Sequence, residues 1–240
     1  MIACDRLAHT SRWRTRPLAE KALLSLGLLA LALALPPLGG ALVLSVAVSA
    51  ALAAGTPPMA LLRLTAGPMA FILTGAVTLL VEIGPDGIHL SAHGVTQAGA
   101  LILRALAAVV SLLLLAVTTP ASELVQGMRR LGLSAEVAEV ALATYRFLFV
   151  LQDTAAAIHA TQTARLGNTG WRRRIRSTGM LVATLLPRAL DRAHRLEMGL
   201  AARGFDGSLR TLSPTRPSRP AGLAVVALLL VSVGVAGAWI

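Results

Sequence analysis

Long apolar runs constrain the fold of this chain more than any other feature. Four of them lie at residues 22–35, 38–54, 64–83 and 98–117, and a fifth lies at 221–240. A helix needs about 20 apolar residues to cross a bilayer, and slightly shorter runs cross by tilting or by thinning it. Since 55% of the residues are hydrophobic and 14% are charged, we predict an all-α integral membrane protein with about five transmembrane helices.

The basic residues predict how these helices are oriented. The formal net charge is +11, and Lys21 is the single lysine among 22 Lys and Arg residues. If the N-terminus is cytoplasmic, every one of the 22 except Arg104 falls on the cytoplasmic side. Cytoplasmic loops of membrane proteins are enriched in Lys and Arg, so this placement predicts a multi-pass protein of the inner (plasma) membrane. With aromatic residues at 3% and no nucleic-acid motif, a nucleic-acid partner is not expected.

This orientation divides the chain into four parts. Residues 1–21 form a cytoplasmic N-terminal segment, 22–117 a four-helix transmembrane bundle, and 221–240 the last transmembrane helix. Residues 118–220, inserted before that last span, are too many for a simple connection and predict a cytoplasmic helical domain.

The first helix of the cytoplasmic domain is predicted to be short. Thr119 can cap it, Pro120 suits its first position, and Gly132 can end it. Thr118 and these residues mark the hinge between the fourth span and the cytoplasmic helices.

A much longer helix is predicted from Ser134 to about Arg165, ended by Gly167. Its stretch "VAEVALATYRFLFVL" is apolar enough to suggest a sixth span. Glu139 and Arg146 argue against that span, because ionisable groups near mid-bilayer are costly. We expect a helix that packs partly against the membrane bundle and lies partly in the cytoplasm.

A third, amphipathic helix is predicted over residues 177–203, with a bend at Pro187. Arg165 and Arg203 then lie in the last turns of consecutive helices, each after an alanine and close to a glycine that can terminate the helix. For either arginine alone, the favourable effect of a cation at a helix C-terminus is a sufficient explanation. The repeat favours helix tips that insert into a groove and bind carboxylates or carbonyl groups there.

Other polar residues give weaker signals. His89 and His93 could share a metal ion with Glu82 or Asp86, but they lie in a predicted outer loop and an ordinary loop role is favoured. Arg104, inside the fourth span, could extend outward or pair with Glu82.

Motifs for chemistry are absent from the sequence. The single cysteine, Cys4, excludes an intramolecular disulfide, and the sequence contains neither a P-loop nor a hydrolase motif. No cofactor and no metal-binding residue is therefore predicted, and the chain is expected to be non-enzymatic.

Several ordered segments resemble a known family. They are "DRLAHTSRWRTRPLAEKALL", "LLLLAVTTPASELVQGMRRLGLSAEVAEVALATYRFLFVLQD", "ATQTARLGN" and "EMGLAARGFDG". Together they resemble the transmembrane T component of energy-coupling factor transporters, in its cobalt-type CbiQ branch. The resemblance covers nearly the whole chain.

The resemblance implies a role for both arginine motifs. In this family two Ala-Arg-Gly motifs end the cytoplasmic coupling helices and dock into grooves of two ABC-type ATPase subunits. The corresponding residues here are Ala164, Arg165, Leu166, Ala202, Arg203 and Gly204. The first motif departs from the pattern, since Leu166 replaces the usual glycine and Gly167 follows one place later.

The resemblance also implies the function. We expect a coupling subunit of a cobalt importer, with two ATPases and a metal-capturing membrane S component as partners. The resemblance leaves open whether a small accessory membrane subunit is also present. The same role in a nickel importer and a stand-alone secondary transporter are the alternatives. A third alternative is a membrane enzyme that uses His89 and His93, but the sequence offers no clear further metal ligands for it.

Overall fold

The computed structural model describes residues 3–84, 87–90, 94–204 and 220–239. The backbone forms two compact units, which we call the membrane unit (residues 1–127 and 214–240) and the two-helix unit (residues 128–213).

Most helices belong to the membrane unit. Its described elements are α1 (Ala3–Thr10), a 3₁₀ turn (Arg12–Thr15), α2 (Leu18–Ala34), α3 (Pro37–Ala53), α4 (Pro58–Leu80), β1 (Val81–Gly84), β2 (Gly87–Leu90), α5 (Gly94–Thr118) and α9 (Pro220–Trp239). Helix α6 (Ala121–Arg130) follows α5 and leads along the chain into the second unit.

Helix α5 is the centre of the membrane unit. It contacts α1, α2, α3 and α4, while α9 packs against α2 and α3. Small residues permit close approach, since a Cβ on Gly39 of α3 would lie 2.8 Å from the backbone oxygen of Gly237 in α9. Such small-residue contacts are typical of helix packing in membranes.

Of the described helices, three are long and apolar enough to cross a membrane, namely α4, α5 and α9. Helix α3 is apolar but has 17 residues, and α2 has the same length. The all-α membrane class is confirmed, whereas the number of five spans stays a prediction.

Helices α2, α4 and α5 begin four, six and four residues before the predicted spans. Two further boundaries differ from the sequence-based expectation. Residues 81–83, predicted to end the third span as helix, instead form β1, which pairs antiparallel with β2. Val81 and Ile83 are β-branched and are followed by Gly84, a composition that favours extended backbone over helix. Helix α6 begins at Ala121, and the buried Thr119 hydroxyl has no hydrogen-bond partner among the described residues, so the predicted Thr119 cap is wrong.

The two-helix unit contains α7 (Ala135–Ala164) and α8 (Trp171–Ala201). Ser134 caps α7 as predicted, since its hydroxyl accepts a hydrogen bond from the backbone N–H of Val137. Gly132, at a φ of 109°, ends the preceding helix as predicted. Helix α8 begins six residues before the predicted start, because Gly170 at a φ of 80° reverses the chain and the arginines that follow are good helix formers. Helix α7 is not among the described helices that are long and apolar enough to cross a membrane. Its placement partly against the membrane bundle and partly in the cytoplasm stays a prediction.

Candidate docking tips of the two long helices

The C-terminus of α7 carries the first predicted arginine in a well-defined cap. Arg165 is the C-cap residue, and Leu166 follows at a φ of 56°, in the left-handed region. The N–H of Leu166 donates to the carbonyl of Thr163 at 3.0 Å, and that of Gly167 donates to the carbonyl of Gln162 at 2.8 Å. This pair of bonds defines a Schellman motif, which satisfies the last helical carbonyls.

The end of α8 shares one of these bonds and the left-handed residue. Helix α8 ends at Ala201, and Gly204 has a φ of 71°. Its N–H donates to the carbonyl of Ala201 at 3.0 Å, as Leu166 does to Thr163. Arg203 therefore holds the same place before a left-handed residue as Arg165 does.

One detail of the sequence-based expectation was wrong. Gly167 was predicted to terminate α7, but Leu166 adopts the left-handed conformation in its place. The glycine of the family pattern is thus replaced by leucine without loss of the cap. A non-glycine residue in this conformation costs about 1–2 kcal/mol, which the surrounding hydrogen bonds must offset.

All six predicted site residues are exposed, and Leu166 retains 65% of its accessible surface. Within the described part of the chain, neither the Arg165 nor the Arg203 guanidinium has a hydrogen-bond or salt-bridge partner. The structure does not bring the two arginines together, because they flank the 31 residues of α8 at opposite ends. At 1.5 Å per residue, that helix separates them by about 45 Å.

Hydrogen bonds order the loop after the first tip. Asn168 Nδ2 donates to Thr163 Oγ1 at 2.7 Å, and Thr169 Oγ1 donates to the carbonyl of Leu166 at 2.7 Å. Gln162 and Ser177 also join α7 to α8 here. Sequence reasoning missed these two residues, since nothing in their local pattern marks them.

A buried lysine of α2 lies beside the start of α6. The Lys21 side chain, 1% exposed, donates from Nζ to the carbonyl of Thr118 at 3.1 Å and lies 3.3 Å from Glu123 Oε2. It thereby joins α2 to the end of α5 and the first turn of α6. The only signal in the sequence was that this is the single lysine.

Arg104 of α5 contacts the end of α2. Its Nη2 donates to the carbonyl of Leu35 at 3.2 Å, so it caps the C-terminus of α2. A cation is favourable at that negative end. This bond joins α5 to α2. The side chain of Glu82 lies outside the described residues, so the suggested pairing with it stays a prediction.

The suggested histidine site lies largely outside the described residues. His93 and Asp86 are not described, and for Glu82 and His89 the structure describes the backbone, where the two residues pair across β1 and β2. Among the residues that the structure describes, no three His, Cys, Asp or Glu residues come together as a metal site.

An apolar groove of about 380 Å³ lies between α7 and α8. It is lined by Ala143, Thr144, Phe147, Leu148, Leu151, Ala193 and Leu196.

Comparison with known proteins identifies the family. Residues 10–213 match the family model of CbiQ, described as a cobalt transport protein. The chain belongs to the CbiQ cobalt transport protein family. The CbiQ cobalt transport protein of Rhodobacter capsulatus is 48% identical over 239 residues, covering 99% of this chain and 98% of the relative. CbiQ of Salmonella typhimurium is 30% identical over 223 residues, covering 86% of this chain and 98% of the relative.

A third relative is a putative fusion protein. The putative fused cobalt transport protein CbiMQ of Methanocorpusculum labreanum is 25% identical over 154 residues, covering 59% of this chain and 26% of the relative. Membership of the CbiQ family, together with the apolar helices, makes this chain a multi-pass membrane component of a transport system. The prediction of a transport role is confirmed at this level.

Proposed function

We propose that this chain is the transmembrane coupling component of an energy-coupling factor importer for cobalt. In this role it has no catalytic activity and links ATP hydrolysis by two ABC-type ATPase subunits to a membrane protein that captures the metal. The observation that carries the proposal is the pair of matching helix ends, each presenting an exposed arginine before a left-handed residue.

The chemistry of these tips suits docking into a protein groove. A guanidinium offers several donors in a fixed fork that matches carboxylates and backbone carbonyls. Beside Arg165, the exposed Leu166 adds an apolar contact to the charged one. Because α8 separates the tips by about 45 Å, each can bind a different ATPase subunit.

The connection to the membrane helices supports a coupling role. Helix α6 links the two units along the chain, and Lys21 fixes its first turn to α2 and α5. Helices of 30 and 31 residues can move as stiff bodies, so displacement of the tips is passed through α6 to the bilayer.

The metal-capturing partner is a second membrane protein. The name of the fused relative, CbiMQ, joins a CbiM part to a CbiQ part in one protein. This supports a CbiM-like membrane protein as the partner of this chain. The groove between α7 and α8 offers that neighbour an apolar surface. A small accessory membrane subunit is compatible with this arrangement.

Co-purification with the cognate ABC-type ATPases tests the docking role. We expect Arg165→Glu and Arg203→Glu each to weaken the complex by about 2–5 kcal/mol, since each replaces a charge-assisted contact with repulsion. The double variant should lose the ATPases. Arg188→Glu is the matched control, because it makes the same charge change at an exposed position within α8.

Metal accumulation by cells tests the rest of the proposal. The double variant should accumulate no cobalt while the capture protein still binds it. An intact ATPase complex in the double variant contradicts docking, and uptake without ATPases favours a stand-alone secondary transporter. Preferential uptake of nickel corrects the ion while leaving the coupling role in place.

A further inference from the structure

Two hydrogen bonds tie the first arginine tip to the neighbouring helix. Gln162 Nε2, in the last turn of α7, donates to the carbonyl of Ser177 in α8 at 3.0 Å. Ser177 Oγ donates in return to the carbonyl of Gly167 at 2.8 Å. We call these three residues the clamp. Ser177 is the single buried residue of α8, although its chain neighbours are exposed.

Gly167 packs too closely against Gln162 and Ser177 to carry a side chain. A Cβ there would lie 2.9 Å from the backbone oxygen of Gln162 and 2.9 Å from Ser177 Oγ. That same oxygen of Gln162 accepts the N–H of Gly167. The glycine is therefore required for close approach to α8, while Leu166 supplies the left-handed turn.

Arg165 lies between the two anchors of the clamp. Gln162 precedes it by three residues, and Gly167 follows it by two. Fixing both sides sets the direction of the Arg165 Cα–Cβ bond relative to α8 before any partner binds. Ordering a loop in advance lowers the entropic cost of association.

The second tip lacks such support within the described residues. A Cβ on Gly204 would meet nothing within 4 Å, and no described hydrogen bond joins residues 202–204 to another helix. Among the described residues, both tips thus have a left-handed residue after the arginine, but hydrogen bonds to a neighbouring helix are described at the first tip alone.

We propose that Gln162 and Ser177 are positioning residues that orient Arg165 for its ATPase groove. The inference rests on the proposed function and adds to it that the first tip is rigid before docking. It also assigns Gly167, the glycine displaced from the family position, to helix contact rather than to the cap.

The affinity of the detergent-purified chain for its cognate ATPase tests the clamp. Ser177→Ala removes one donor and Gln162→Leu the other, and each is expected to weaken binding roughly fivefold, the effect of one lost hydrogen bond. Thr178→Ala is the matched control, because the hydrogen bond described for its hydroxyl goes to the carbonyl of Arg174 in its own helix. Amide hydrogen exchange at residues 165–169 should rise in the clamp variants and not in the control.

A double-mutant cycle separates positioning from general stability. If the clamp acts through Arg165, then Ser177→Ala and Gln162→Leu have no further effect on affinity in an Arg165→Ala background. Equal weakening in both backgrounds, or none in either, overturns the inference. Undiminished binding by Arg165→Glu overturns the proposed function instead, so the two failures are distinct.

Discussion

The two-helix unit has the longer helices, of 30 and 31 residues, yet far fewer of their residues are buried than in the helices of the membrane unit. Helix α5 alone has eight buried residues in its 25, whereas the described burial in α7 and α8 amounts to Ala138 and Ser177. The membrane unit thus has a packed core of its own. Helices α7 and α8 of the two-helix unit are mostly exposed, which suits the proposed role in binding partners.

The few polar groups buried in each unit reflect the same difference. In the membrane unit Lys21 joins three helices and is almost fully enclosed. In the two-helix unit Ser177 joins two helices beside an exposed arginine tip. We therefore expect mutations in the first unit to act on folding and those in the second to act on binding.

Loss of the buried lysine should have the largest effect on stability. Lys21→Ala leaves Glu123 without its lysine partner and the Thr118 carbonyl without the lysine donor. We expect the free energy of unfolding to fall by about 3 kcal/mol, the lower end of the range for breaking a buried ion pair. The lower end applies because the Glu123 side chain is 34% exposed. Unfolding in detergent by denaturant measures the change. Arg188→Ala, an exposed charge in α8, should change stability by less than about 0.5 kcal/mol. Equal effects from the two substitutions would remove the contrast between the units.

Truncation of matched leucines compares the packing of the two units directly. Leu114 in α5 is 1% exposed and Leu148 in α7 is 45% exposed. Leu114→Ala should cost about 2–3 kcal/mol because it leaves a cavity, and Leu148→Ala less than about 1 kcal/mol. Thermal unfolding of the purified variants gives the comparison, and a larger loss for Leu148→Ala would show that the two-helix unit has a core of its own.

The smallest expected effects lie at the two helix tips. Leu166→Gly should stabilise the end of α7 by up to about 1 kcal/mol, because glycine adopts a positive φ without a Cβ clash. Gly204→Ala should destabilise the end of α8 by about 1 kcal/mol for the same reason. Amide hydrogen exchange in the last turn of each helix reports both changes. Shifts of the same sign at both tips would contradict their shared left-handed geometry.

Local residue patterns predicted most of the helices. The apolar runs correspond to α2, α3, α4, α5 and α9, because a bilayer selects for length and hydrophobicity along the chain. Ser134 and Gly132 were recognised correctly since capping depends on one or two neighbouring residues. Residues 81–83 were misassigned because a short apolar stretch fits the end of a helix and a strand equally well.

The arginine tips show how far such patterns extend. The repeat of Ala-Arg located both helix ends, and the structure places both arginines before a left-handed residue. The sequence repeat did not reveal that Leu166, rather than Gly167, adopts the left-handed conformation. Steric preference favours glycine at a positive φ, but here the close approach of Ser177 requires the glycine one position later.

The sequence alone was enough to locate most of the helical segments, to show which of them are apolar, and to place Arg165 and Arg203 near helix ends, because these properties depend on residues close together in the chain. Tertiary structure alone decided the partners of the polar side chains. Arg104 binds a carbonyl 69 residues away and Lys21 one 97 residues away, while Ser177 secures the loop of the preceding helix. Such contacts depend on which turns of two helices come to lie side by side, and that is set by the packing of the whole unit.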